Sequence, residues 1–102
     1  MVRLVNANPG PVEEDRPRIS VIIPTLNEAG RLDGLLRQLC PYQGPNVEVI
    51  VVDGSSDDGT EAVARRHADV VLTSAPGRGL QMNLGAQHSS GDILLFLHAD
   101  TQ

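Results

Sequence analysis

The sequence predicts an α/β fold, a mostly parallel sheet with helical crossovers. Four short apolar or β-branched runs recur along the chain. Stretches with helical spacing or helix-start chemistry separate them, and the order β-α-β-α-β-α-β runs without repeats or low-complexity linkers. Parallel neighbours need such crossovers, because a short hairpin can join only antiparallel strands.

The first run, "RISVII" (Arg18 to Ile23), is apolar enough for a strand buried on both faces, and Pro24 is placed to stop it. Leu32, Leu35, Leu36 and Leu39 then fall at i, i+3, i+4 and i+7, one apolar stripe of a helix with Asn27 as N-cap and Pro41 closing it. "VEVIVV" (Val47 to Val52) is the second strand. A second helix is predicted around Thr60 to His67, where Asp58-Gly59-Thr60-Glu61 resembles a capping box. "DVVLT" (Asp69 to Thr73), "LQMNLGAQH" and "DILLFL" (Asp92 to Leu97) give the third strand, third helix and fourth strand.

At 102 residues the chain is a single domain with a modest core. Its net charge is −5, all eight basic residues are Arg, and no basic run occurs, which argues against nucleic acid or an anionic membrane surface as partner. A single cysteine, Cys40, excludes an intramolecular disulfide or a Cys-based zinc cluster and reads as a buried filler beside Leu39. Pro9, Pro11 and Pro17 with Glu13, Glu14 and Asp15 make residues 1–17 a flexible tail, leaving 18–102 as the folded domain. No segment reads as a signal peptide or a bilayer span, so the expected location is cytoplasmic.

Parallel strands bring their C-terminal ends to one edge. Four loops meet there: "PTLNE" (Pro24 to Glu28), "DGSSDDG" (Asp53 to Gly59), "SAPGRG" (Ser74 to Gly79) and "HAD" (His98 to Asp100). Helix starts at that edge offer N–H groups and a positive dipole end to phosphates. The common nucleotide motifs are missing: there is no G-x-x-x-x-G-K-[ST], and Gly77 and Gly79 form a lone G-x-G with Met82 at the third glycine's position.

The edge instead collects Glu28, Asp53, Asp57, Asp58 and Asp100, the amides of Asn27 and Asn83, and Arg78. So many carboxylates would repel a diphosphate unless a cation intervened. His98 and Asp100, at i and i+2, share one face of an extended segment and suit Mn²⁺ better than Ca²⁺. The alternative reading makes His98 a strand-end residue and Asp100 a turn residue. Asp53 can accept hydrogen bonds from a ligand or from its own loop. Asp57 and Asp58 read as helix-start residues. Arg78, between two glycines, either meets an anion or stands in solvent. Glu28 also reads as a first-turn acid, and His67 and His88 as helix-surface residues.

Together these segments resemble the donor half of a family 2 glycosyltransferase with the GT-A, Rossmann-like nucleotide-diphospho-sugar fold. "VIIPTLNE" is similar to that family's first strand and P-x-x-N-E turn, "VIVVDGSSDDGT" to its second strand and nucleotide loop, and "GRGLQMNLGA" to its Arg/Lys-Gly, Asn, Gly-Ala segment. "GDILLFLHADT" sits where the family has a strand-ending D-x-D. The resemblance runs from about Ile19 to the end.

The resemblance implies that Pro24, Asn27, Glu28, Asp53, Ser55, Arg78, Asn83 and Asp100 bind a nucleoside-diphosphate sugar, with the uracil and ribose near Pro24, Glu28 and Asp53. It also implies metal held by His98 and Asp100, with transfer to an acceptor hydroxyl with inversion. Such a reaction joins Lewis-acid stabilisation of the leaving diphosphate to a carboxylate base. His98 stands where the family has its first Asp, resembling a His-Ala-Asp subgroup, and a neutral ligand there favours Mn²⁺ over Mg²⁺. The catalytic base and acceptor-binding half are expected beyond Gln102. A non-catalytic nucleotide-binding module, or an inactive fragment of such an enzyme, is the alternative. A phospho-accepting receiver domain fits worse, because Thr25-Leu26-Asn27 and Leu72-Thr73 stand where it needs acids.

Overall fold

The computed structural model describes residues 17–99. In chain order they form β1 (Ile19–Thr25), α1 (Ala29–Leu39), a 3-10 turn (Cys40–Tyr42), β2 (Val47–Asp53), α2 (Thr60–His67), β3 (Val70–Thr73), α3 (Arg78–Gln87) and β4 (Ile93–Phe96). The sheet runs β3-β2-β1-β4 and every pairing is parallel, so the predicted fold class and alternation hold.

Three layers follow from the strand sequences. On one face, Val21, Ile23, Val49 and Val51 pack with Leu32, Leu35 and Leu36 of α1 and Ala64 of α2. On the other, Ile22, Ile50 and Val52 pack beneath Leu84 and Ala86 of α3. Both faces of β1 and β2 are covered, which is why Val21 to Ile23 and Val49 to Val52 read as apolar runs rather than alternating ones. Gly85 lets α3 lie close to the sheet, since a Cβ there would meet Ile22 Cγ2 at 2.5 Å and Val52 Cγ2 at 3.1 Å. Strand β4 is less protected. Leu95 and Leu97 join the first core, but Leu94 and Phe96, on the α3 side, are 39% and 41% exposed.

Several local expectations are corrected. Pro24 does not end β1; it pairs with Val52 inside the strand. Arg18 and Ile22 direct their carbonyls to β4, as Asp92 N, Ile93 N and Leu97 N show, whereas Ile19 and Thr25 bond toward β2. The ring of Pro24 therefore stands where β1 would donate to β4, just past the last β1–β4 pair, Ile22 with Phe96. A missing N–H costs the ladder least there.

Asn27 is not the cap of α1. Glu28 holds the N-cap position, while Asn27 adopts a left-handed φ of 51°. The capping box before α2 does not form either: Gly59 is the N-cap at φ 89°, and Glu61 accepts from Thr73 Oγ1 at 2.7 Å instead. Helix α3 begins two residues before the predicted stretch, so Arg78 is its first residue. Cys40 is exposed, not buried, because α1 gives way at Leu39 to the 3-10 turn around Pro41. His67 is half-buried, its Nε2 3.4 Å from Asp33 Oδ1 of α1, and so faces the neighbouring helix rather than standing on the surface. The predicted tail, apart from Pro17, and Asp100 lie outside the described residues. Among those described, no helix is long and apolar enough to cross a membrane.

Candidate functional site

The C-terminal ends of β1, β2 and β3 lead into loops that hydrogen-bond to one another. Asp53 ends β2 with only 2% of its surface exposed. One carboxylate oxygen accepts from Thr25 Oγ1 at 3.0 Å and Ser56 Oγ at 2.6 Å, and the other from Ser56 N at 2.9 Å. A carboxylate offers about four acceptor positions, and three are taken here, two by Ser56 of its own loop and one by Thr25 at the end of β1.

The same loop fastens the one after β1. Asn27 N donates to Ser56 Oγ at 2.8 Å, and Asn27 Oδ1 accepts from Asp57 N at 3.0 Å. Glu28 N donates to Thr60 Oγ1 at 3.0 Å, and the Thr60 hydroxyl donates in turn to Asp58 Oδ1. Asp58 also takes Thr60 N at 3.0 Å and Ala29 N at 3.3 Å, thereby capping the start of α1 from another loop. Chiefly through the Thr60 hydroxyl, and against some desolvation, these bonds hold the Asp58 carboxyl below its usual range. Glu28 itself is half-buried, with Oε1 3.4 Å from Leu26 N.

The third loop joins from the other side. Ser55 donates from Oγ to Ser74 O at 2.7 Å, and Ser74 N donates to Asp53 O at 2.8 Å. Ser55 has φ 67°, so both non-glycine residues with positive φ among those described, Asn27 and Ser55, sit in these loops. Left-handed backbone costs roughly 1–2 kcal/mol for an L-residue and gathers at functional sites.

Beyond Gly77, Arg78 opens α3, exposed and with no ion-pair partner among the described residues. A helix start beside an exposed guanidinium is suited to an anion. Asn83 is exposed further along α3, and Pro24 is buried in β1.

His98 follows β4, half-buried, and its Nδ1 is buried without a hydrogen-bond partner among the described residues. No cluster of three or more His, Cys, Asp or Glu able to hold a metal occurs among the described residues. The edge thus brings Asn27, Glu28, Asp53 and Ser55 into one bonded network with Asp57 and Asp58, with Pro24 paired to Val52 in the sheet beneath it, and among the described residues no hydrogen bond runs from this network to His98.

The sequence reading missed Thr25, Ser56, Thr60 and Gln81, all of which bond within or beside these loops. Gln81 carried a signal: with Leu84 and Gly85 it lies on the sheet-facing stripe of α3, where a polar side chain needs partners.

Residues 20–102 match the model of Glycosyl transferase family 2. The chain is 36% identical over 93 residues to glycosyltransferase AglE of Haloferax volcanii, spanning 82% of this chain and 31% of that protein. It is 35% identical over 96 residues to undecaprenyl-phosphate 4-deoxy-4-formamido-L-arabinose transferase of Klebsiella pneumoniae, spanning 83% and 29%. Among solved structures, mannosyltransferase PcManGT of Pyrobaculum calidifontis, in complex with GDP-Man and Mn²⁺, superposes with a TM-score of 0.73 at 32% identity, covering 85% of this chain and 28% of that one. Glucosyl-3-phosphoglycerate synthase of Mycobacterium tuberculosis, in complex with Mn²⁺, UDP and glucosyl-3-phosphoglycerate, does so with 0.71 at 31%, covering 82% and 34%. The chain therefore spans about a third of the length of these relatives.

Proposed function

The chain belongs to glycosyl transferase family 2, and from that premise we propose that residues 18–102 are the donor-binding part of an enzyme moving a sugar from a nucleoside-diphosphate sugar to an acceptor hydroxyl with inversion. The observation that carries the reading is the bonded network of the three loops after β1, β2 and β3, with Arg78 opening α3 beside it.

Each part has work suited to its chemistry. The Pro24–Glu28 and Asp53–Ser56 loops hold the base and ribose, with the uracil of a UDP-sugar as the favoured case. Asp53 acts through the loop it folds and through its one remaining acceptor position. Arg78 and the N–H groups opening α3 receive the diphosphate, with Asn83 nearby. Backbone N–H groups and a guanidinium fixed before the ligand arrives stabilise negative charge without reorganising.

Donor types of the right kind for a divalent ion stand after β4. His98 has a buried imidazole nitrogen without a described partner, and Asp100 follows it in sequence. His98 and Asp100 would hold the ion, with Mn²⁺ preferred to Mg²⁺ because one donor is neutral nitrogen. When bound, such an ion supplies Lewis-acid charge to the leaving diphosphate. The His-Ala-Asp pattern would mark a subgroup of the family.

Calorimetric titration of UDP and UDP-glucose into the folded chain, with and without Mn²⁺, tests the proposal. Mn²⁺-dependent binding of both is expected. A folded chain that binds neither refutes a donor site built by these residues.

A further inference from the structure

We propose that Gln81 is a positioning residue, which holds the Gly77–Arg78 corner in register with the strand ends that lead into the Asp53 loop. The proposal rests on the donor-site reading above for its functional consequence, and on three hydrogen bonds for its geometry.

Gln81 lies one turn into α3 yet is only 3% exposed, because its side chain turns under the helix toward the sheet. Its Nε2 donates to Thr25 O at 2.9 Å and to Val52 O at 2.8 Å, the carbonyls at the ends of β1 and β2. Its Oε1 accepts from Gly77 N at 3.0 Å. One amide thus uses both N–H groups and its oxygen to join three separate segments. Glutamate can keep the Gly77 bond but cannot donate; leucine can do neither.

The Gly77 bond is the one that depends most on this side chain. Thr25 O also accepts from Gly54 N at 2.9 Å, and the strand ends are held by the sheet itself. Gly77, by contrast, has φ 153°, and its N–H precedes the helix where backbone donors lack intrahelical acceptors. With Gln81 removed, Gly77 N loses its recorded acceptor, and Arg78 is the next residue.

Gly54 is the other half of the fit. A Cβ there would meet Gln81 Oε1 at 2.8 Å, Cδ at 3.0 Å and Nε2 at 3.1 Å. Gly54 has no positive φ, so it is needed for the room it leaves, not for its backbone freedom. A methyl group at position 54 pushes on the same amide from the Asp53 side.

The test uses all 102 residues in four forms: wild type, Gln81→Leu, Gln81→Glu and Gly54→Ala. Amide hydrogen exchange at Gly77 is read without ligand, and uridine and UDP affinities are read by NMR titration with Mn²⁺. In Gln81→Leu, Gly77 exchange is expected to rise at least tenfold and UDP affinity to fall at least tenfold, with uridine affinity unchanged. Gly54→Ala is expected to shift both readouts the same way. Gln81→Glu, which keeps the Gly77 acceptor, is expected to leave Gly77 exchange closer to wild type than the leucine form does.

Unchanged Gly77 exchange in folded Gln81→Leu overturns the proposal, as does an equal loss of uridine and UDP affinity, the signature of a merely structural role. If Gln81→Leu does not fold, wild-type-like exchange and UDP affinity in Gly54→Ala overturn it. Should wild type bind neither ligand, the donor-site reading fails separately, and Gly77 exchange still decides whether Gln81 holds this corner.

Discussion

Ala29 N donates to Asp58 Oδ2 at 3.3 Å, so helix α1 takes its acidic cap from a residue 29 positions further along the chain. The bond couples the start of one helix to the approach of the next, because the same carboxylate accepts from Thr60. Losing this cap loosens two loops at once.

Asp58→Asn should therefore destabilise the fold at neutral pH. Bonding lowers the folded-state pKa of Asp58, so its stabilisation is present above the unfolded carboxylate range and is lost as pH falls through the folded value. The gap between wild type and Asp58→Asn should close below the ordinary value of 3.8. Urea unfolding over a pH series measures it; a gap that persists undiminished into strong acid contradicts the assignment.

Gly85→Ala should cost about 1–3 kcal/mol through overpacking, since its Cβ would enter the space of Ile22 and Val52 beneath α3. Gly79→Ala, on the same helix with nothing within 4 Å, should change stability by much less. Equal urea midpoints for the two variants would show that α3 does not sit this close to the sheet.

Glu48 joins the opposite ends of β1, β2 and the segment before β4, accepting from Ser20 Oγ at 2.6 Å, Ser90 N at 2.7 Å and Ser90 Oγ at 2.9 Å. Burial pushes its carboxyl upward, but the Ser20 and Ser90 bonds and the charge of Arg18 carry it below the usual range. Glu48→Ala should cost about 1–3 kcal/mol by leaving these donors unpaired. Its donor affinity, measured where both proteins are fully folded, should match wild type.

Asp53→Ala should abolish UDP binding while circular dichroism still shows a folded chain. The variant also strips Thr25 and Ser56 of their acceptor, so stability should fall by about 1–3 kcal/mol. Undiminished UDP affinity in the folded variant would remove Asp53 from the site.

His98→Asp should shift metal preference toward Mg²⁺, because a hard anionic oxygen replaces an imidazole nitrogen. The ratio of Mn²⁺ to Mg²⁺ affinity, read by calorimetry in the presence of UDP, reports it. An unchanged ratio would remove His98 from the metal's ligands.

The architecture was legible where one residue pattern had one structural solution. Val49 to Val52 are apolar on both faces because helices cover both, and the Leu32–Leu39 stripe matches one face of α1. The sequence misled where a residue's role depends on a distant partner. Pro24 stops a strand only if its missing N–H faces a continuing neighbour, and here that ladder has ended. Asn27 has the chemistry of a cap, yet its side-chain Oδ1 accepts from Asp57 N, 30 positions away. The site residues named from the loops fall in one network for Asn27, Glu28, Asp53 and Ser55. Gln81 showed only its place on the stripe with Leu84 and Gly85; its partners, Thr25 O and Val52 O, lie 56 and 29 positions away and leave no local trace.

The sheet order has a consequence for how the chain acquires its shape. Strand β1 lies between β2 and β4, and Arg18 N meets Asp92 Oδ2 across 74 positions. During synthesis, β1 can pair with β2 early, but the flank formed by Ser20 and Ile22 waits until Leu94 and Phe96 have emerged. Closing so long a loop is entropically costly and slows folding. Strand β1, with Val21, Ile22 and Ile23 at its centre, therefore spends the interval with one side open, when misassociation with another nascent chain competes with its own last strand.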